Sequence, residues 1–211
     1  MPLKEPLREL FKFPLYLILH PFNGYWELKY EGKARLNIAL GILFAYVVTV
    51  ILTRQYSGFV VNYNKLNELN SLNELTYIVL PFFLWCVSNW SLTTLMDGEG
   101  KFGEIVMATG YALLPLVLIQ LPMILFSNVI TREESSFYYF FLSAANLWFL
   151  YLMFVGTMTV HQYSATKTLV TIGLTFVVMG IILFLGLLFF SLLQQIVTFV
   201  TTIYQEIVLR L

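Results

Sequence analysis

The chain has 211 residues, of which 59% are hydrophobic and only 11% charged, with 12 basic and 12 acidic side chains and zero formal net charge. A soluble domain carries about 25% charged residues, so a water-covered globule is excluded and an integral membrane protein is implied. The balanced charge offers no basic groove for phosphates, which excludes nucleic acid as a partner, and a single cysteine, Cys86, excludes an intramolecular disulfide.

The N-terminal segment, residues 1–35, is not a secretory signal, because Pro14 interrupts its apolar run and no small-residue cleavage site follows. Leu3, Leu7, Leu10 and Phe11 recur at helical spacing with Lys4, Arg8 and Lys12 between them. This predicts an amphipathic helix, lying in the interface or docked on the bundle, with Trp26 and Tyr30 at headgroup level. Five apolar runs long enough to cross a bilayer follow: about Leu36 to Thr53, Leu75 to Met96, Ile105 to Ile130, Phe137 to Val160 and Leu169 to Leu193. Alternating ten-residue segments of a barrel are missing, so the expected fold is an all-α integral membrane bundle of five transmembrane helices over residues 36–193. An Asn-rich loop with Asn62, Asn64, Asn67, Asn70 and Asn73 joins the first two spans, and the other links are short. The tail, residues 194–211, has an apolar stripe of Ile196, Val200, Ile203, Ile207 and Leu211. It is expected on the extracytoplasmic side, lying in the outer leaflet, continuing the fifth helix or meeting a partner helix.

Lys and Arg set the orientation. Lys4, Arg8, Lys12, Lys29, Lys33, Arg35, Lys101 and Lys167 fall on one side of a five-span chain, and Arg54, Lys65, Arg132 and Arg210 on the other. The N-terminus is therefore expected in the cytoplasm and the C-terminus outside, in a multi-pass cell-membrane protein.

The richest polar stretch is NWSLTTLMDGEGKFGE, Asn89 to Glu104. Asn89, Thr93 and Asp97 are spaced by four and are expected on one helix face turned into the bundle. Asp97 and Glu99 flank glycines in a tight turn, Asp97 to Gly100, which suits a solvated turn better than a cation site. The third span carries Gly110, Tyr111, Pro115, Gln120 and Pro122. Pro115 removes the hydrogen bond to the Tyr111 carbonyl and is expected to bend the helix. The Tyr111 hydroxyl then needs a partner, with the Asn89–Asp97 face or the fourth helix the nearest candidates. Ala108 and Ala112, and likewise Asn146, Gly173 and Gly180, read as helix-packing positions. His20 and His161 lie in no ligand-spaced cluster; His161 is placed where it could meet Asp97 or Glu99. Walker loops, G-x-S-x-G elbows and H-E-x-x-H are missing. No metal, cofactor or catalytic residue is expected, and the chain is not expected to be an enzyme.

Three stretches together resemble the Yip membrane-protein family: HPFNGYWELKYEGKARLN, His20 to Asn37; NWSLTTLMDGEGKFGEI, Asn89 to Ile105; and GYALLP, Gly110 to Pro115. The resemblance runs from about residue 15 to residue 193. It implies five spans and a cytoplasmic N-terminus, in agreement with the charge count. Eukaryotic members interact with Ypt/Rab GTPases and are linked to vesicle trafficking. This sequence departs from them at Asp97–Gly100, where they carry an aspartate-leucine-glycine-proline pattern, and its short N-terminal segment resembles bacterial members. The trafficking role is therefore not transferred.

Three functions compete. One is a non-enzymatic scaffold that organises the bilayer or binds other membrane proteins or itself. Another is a permease or channel subunit with a polar path near Asn89, Gln120 and Asn146. The third is a membrane enzyme using Asp97 and Glu99. With no carboxylate or base in mid-span and no catalytic motif, the first is favoured.

Overall fold

The computed structural model describes residues 7–62 and 70–210, with side chains over 12–62 and 70–209. Leu3, Lys4, Asn64, Lys65, Asn67 and Leu211 lie outside the described residues, as do the side chains of Leu7, Arg8, Leu10, Phe11 and Arg210. The described residues form helices α1 (Leu7–Leu19), α2 (Pro21–Tyr30), α3 (Leu36–Tyr56), α4 (Ser71–Leu95), α5 (Phe102–Ala112), α6 (Leu114–Ser127), α7 (Ser135–His161) and α8 (Ala165–Arg210), with no strand among them. Five segments are long and apolar enough to cross a membrane: α3, α4, α5 and α6 taken together, α7 and α8. The chain is an all-helical, multi-pass membrane protein.

Local chemistry sets the helix ends. Asn70 opens α4 by accepting the Leu72 N–H on its side-chain oxygen at 3.0 Å. The Glu104 carboxylate accepts the Lys101 N–H at 3.1 Å and opens α5. The third span breaks at Leu113, where the ladder tightens and Leu113 N–H bonds the Gly110 carbonyl at 3.2 Å. Pro115 then sits in the first turn of α6, where its missing N–H costs nothing. The expected bend is thus a break two residues ahead of the proline. Pro14, by contrast, does not interrupt α1, which runs through it. A proline removes one ladder bond, and α1 continues despite that loss.

The N-terminal pair docks on the bundle. Leu17 of α1 is fully buried, and a Cβ on Gly24 of α2 would lie 2.7 Å from the Leu17 Cα. Glycine is what lets the two helices approach so closely. Tyr25 and Leu28 of α2 are buried against the bundle, while Trp26 and Tyr30 stay half-exposed as a ring pair 5.3 Å apart. The core centres on α5, whose Ile105, Ala108, Tyr111 and Ala112 pack with Ala39, Leu43, Leu152 and Val155. At the opposite end, Gly58 N–H bonds the Ser127 hydroxyl at 2.9 Å and Arg54 pairs with the buried Glu74.

Of the three arrangements expected for the tail, the structure shows the continuation of the fifth helix: α8 runs past residue 193 to Arg210, 46 residues in all. At 1.5 Å per residue that is about 69 Å, roughly twice a hydrocarbon core of about 30 Å. Every described side chain from Leu187 onward is exposed, so the tail's apolar stripe is unpacked. Gly173 and Gly180 have nothing within 4 Å of a built Cβ, which corrects their reading as packing positions. Asn146 is also corrected: it is exposed on α7 and donates its amide to its own helix, at the Leu142 carbonyl, 2.8 Å away.

Candidate functional site

The polar residues converge where α4 and α7 end. Asn89 and Thr93 are almost fully buried, as their spacing implied. Thr175 of α8 donates its hydroxyl to the Thr171 carbonyl at 2.8 Å. Its oxygen is therefore free to accept the Asn89 amide at 3.2 Å. That fixes the Asn89 carbonyl oxygen as the acceptor for His161 Nε2, 2.9 Å away. In the neutral ring the proton then sits on Nε2 and Nδ1 carries the lone pair. Thr93 closes the group by donating to the Asn89 backbone carbonyl at 2.7 Å.

Asp97 does not join them. Helix α4 stops at Leu95, Asp97 turns left-handed with φ 55°, and Gly98 N–H reaches back to the Thr93 carbonyl at 2.8 Å. This closure satisfies an orphan carbonyl at the helix end, and aspartate tolerates the left-handed conformation better than most residues. The expectation that Asp97 faces the interior fails because four-residue spacing means one face only while the helix continues. Asp97 and Glu99 are exposed.

The turn nevertheless has a specific job, which is to roof His161. A Cβ on Gly98 would lie 2.8 Å from His161 Nδ1 and 2.7 Å from the Tyr163 hydroxyl. A Cβ on Gly100 would lie 2.6 Å from His161 Cε1 and 2.7 Å from Val160 Cγ1. His161 therefore meets Asn89 and the two glycines, not the carboxylates of Asp97 or Glu99. Its Nδ1 is buried without a hydrogen-bond partner among the described residues. The cavity beside the ring, walled by Trp85, Asn89, Thr109 and Gly156, has a volume of about 10 Å³, the scale of a single water.

Two lysines finish the helix ends. Lys29 donates to the Val160 carbonyl at 2.8 Å and pairs with Glu99 at 2.9 Å. Lys167 and the Tyr163 hydroxyl both donate to the Met96 carbonyl, at 2.8 and 2.9 Å. A cation on the last carbonyls of a helix satisfies orphan acceptors and complements the negative end of its dipole. Helix α7 itself ends in a left-handed Gln162, φ 56°, with Tyr163 N–H on the Met158 carbonyl at 3.0 Å. The Tyr163 ring stacks on His161 with centroids 5.4 Å apart. Burial, then the Asp97 carboxylate, raise the Tyr163 phenol above its ordinary range.

The remaining candidates are scattered. Tyr111 is fully buried, but its hydroxyl accepts the Arg35 backbone N–H at 3.2 Å, at the start of α3. It reaches neither the Asn89 face nor the fourth helix, which corrects that expectation: the α5–α3 approach through Gly110 and Ala39 puts Arg35 nearer. Gly110 is buried, with a built Cβ only 2.9 Å from the Ala39 carbonyl oxygen. Pro115 is buried in α6, and Gln120, half-buried, approaches the Tyr46 hydroxyl. Tyr25 was missed. It wedges between α5 and α7, donates to the Ala108 carbonyl at 3.3 Å, and its ring lies 3.0 Å from a Cβ built on Gly156. Thr168, Thr171 and Thr175 were missed as well, although three threonines at turn spacing in an apolar helix mark a buried stripe.

A family model described as the Yip1 domain matches residues 15–204. No curated protein and no solved structure matches the chain.

Proposed function

The chain belongs to the Yip1 domain family, and from that premise we propose that it is a non-enzymatic membrane-organising protein. It binds other membrane proteins, or further copies of itself, through its lipid-facing helices, with its N-terminus in the cytoplasm and its C-terminus outside. The observation that carries this reading is the state of the polar centre. Asn89, Thr93, Thr175 and His161 bond to one another under a roof of glycine backbone, beside a cavity of about 10 Å³. Groups arranged in this way hold helices together and offer no path to a solute. The other two polar candidates do not join this hydrogen-bonded group: Gln120 lies beside Tyr46, and Asn146 donates to its own helix at the Leu142 carbonyl. The bundle meanwhile leaves the apolar surface of α8 unpacked over much of its length, the kind of surface on which membrane helices associate.

Two experiments test this. Protein reconstituted into liposomes should give no solute-dependent flux above protein-free vesicles, whereas affinity capture in native lipid should retain defined membrane proteins or a second copy. Saturable flux would sink the reading. Reporter fusions after Arg35, Ser71 and Leu211 should read inside, outside and outside, and a cytoplasmic C-terminus would overturn the orientation.

A further inference from the structure

A second, larger space lies beyond the polar centre. It is a slot of about 410 Å³ bounded by α3, α4, α7 and α8, with Tyr46, Trp85, Asn146, Leu150 and Phe176 among its walls. Its inner end shares Trp85, Thr109 and Met153 with the polar centre. Its rim, at Tyr77, Leu150 and Phe176, is exposed on helices that cross the membrane, so it opens sideways into hydrocarbon.

Size and chemistry narrow the occupant. A helix about 10 Å across fills roughly 420 Å³ per turn, so the slot is too small to enclose a partner helix. A single flexible chain fits. None of the slot's lining residues is Asp, Glu, Lys or Arg, and an ionised head sunk to this depth is costly. Among the slot's polar lining, with the Tyr46, Tyr77 and Thr109 hydroxyls and the Trp85 indole, Asn146 is the one carboxamide. Its amide donates to the Leu142 carbonyl at 2.8 Å, and its carbonyl oxygen accepts no hydrogen bond among the described residues. It stands 11 residues into α7, about 16 Å along the helix, where an unmet amide oxygen in lipid is unfavourable. The missing complement is one uncharged donor.

We propose that this slot binds one long-chain lipid with a small neutral hydroxyl head, the chain lying against Trp85, Leu150 and Phe176 and the hydroxyl donating to Asn146. A groove farther along the α4–α8 seam is the internal control. It is lined by Leu80, Val87, Ile182 and Leu187, and its one hydroxyl, on Thr76, is already donated to the Leu72 carbonyl at 2.9 Å.

The test uses the full chain in phospholipid nanodiscs and two photoactivatable probes, a long-chain alcohol and the alkane of matched length. Crosslinked peptides are mapped by mass spectrometry. The alcohol should label the slot about fivefold more than the alkane, the worth of one net hydrogen bond, while both label the control groove equally. Asn146→Leu should bring the slot ratio to about one without losing alkane labelling, and Leu150→Trp at the exposed rim should reduce both. Equal slot labelling by the two probes in the wild-type chain would overturn the proposal. So would crosslinks to a second copy from photo-leucine placed at Leu150 on the rim, which would make a protein the occupant.

Discussion

The third and fifth spans are both strongly apolar, yet more than half of the third is buried in the bundle and none of the most apolar stretch of the fifth is. The same residue type shows why. Gly110 is pressed against the Ala39 backbone, whereas Gly173 and Gly180 face open space. Hydrophobicity decides that a segment enters the membrane, and it does not decide whether the segment meets protein or lipid there, because lipid is as apolar as a packed side chain. Burial in this molecule follows small residues that have a neighbour, and hydroxyls that have a partner.

The sharpest way to break that contrast is a matched pair of glycine substitutions. Gly110→Val would drive a branched side chain into the backbone of α3, which cannot swing aside, and should cost about 3 kcal/mol. Gly173→Val should stay within about 0.5 kcal/mol. Thermal unfolding of both variants in detergent, followed by loss of the monodisperse peak, measures the difference. Equal losses would mean that α8 is packed after all.

A second pair compares asparagines. Asn89→Leu strips the acceptor from His161 Nε2 and the donor from Thr175, and leaving buried partners unmet should cost about 2 kcal/mol. Asn146→Leu leaves no such partners and should be neutral or slightly stabilising. The same unfolding assay reads both, and a neutral Asn89→Leu would remove the polar centre as a structural element.

These pairs also mark where the sequence was legible. The five spans and the break near Pro115 could be read because length, apolarity and a missing N–H act locally. The burial of Asn89 and Thr93 followed from their spacing on one turn-repeat. Asp97 was misread because the same rule was carried one turn past the helix end, where Asp-Gly permits the left-handed closure seen. Asn146, Gly173 and Gly180 were misread because a small or polar residue signals packing only when another helix is present. The partner of Tyr111 was out of reach for a different reason: Arg35 lies 76 residues away in sequence, and only the close α3–α5 approach brings it near. His161 was correctly brought to the Asp97–Gly100 turn, but its contact there is with glycine backbone, which side-chain chemistry does not reveal.

Tyr111→Phe removes the acceptor of the Arg35 N–H and should cost about 1 kcal/mol. Had Tyr111 and Asn89 formed one centre, their effects would couple. They share no hydrogen-bond partner, so Tyr111→Phe combined with Asn89→Leu should be additive within about 0.5 kcal/mol. A double-mutant cycle with a larger interaction energy would rejoin the two sites.

The smallest expected effects lie at the lysine caps, where exposure separates two ends of one ion pair. The Lys29 side chain is 8% exposed and that of Glu99 is 62% exposed. Glu99 thus remains largely hydrated, and Glu99→Gln should change stability by less than about 0.5 kcal/mol, as for most surface pairs. Lys29 also holds the Val160 carbonyl at the end of α7. Lys29→Met keeps most of the stem's packing but leaves that carbonyl without its donor, at the negative end of a helix dipole, and should cost about 1 kcal/mol. If the salt bridge were the important contact, the two variants would lose equal stability and added salt would erase the difference from wild type. If the cap is what matters, Lys29→Met costs more than Glu99→Gln, and the gap persists in salt because the Lys29–Val160 bond is shielded from it. Unfolding of both variants at low and high ionic strength separates these outcomes.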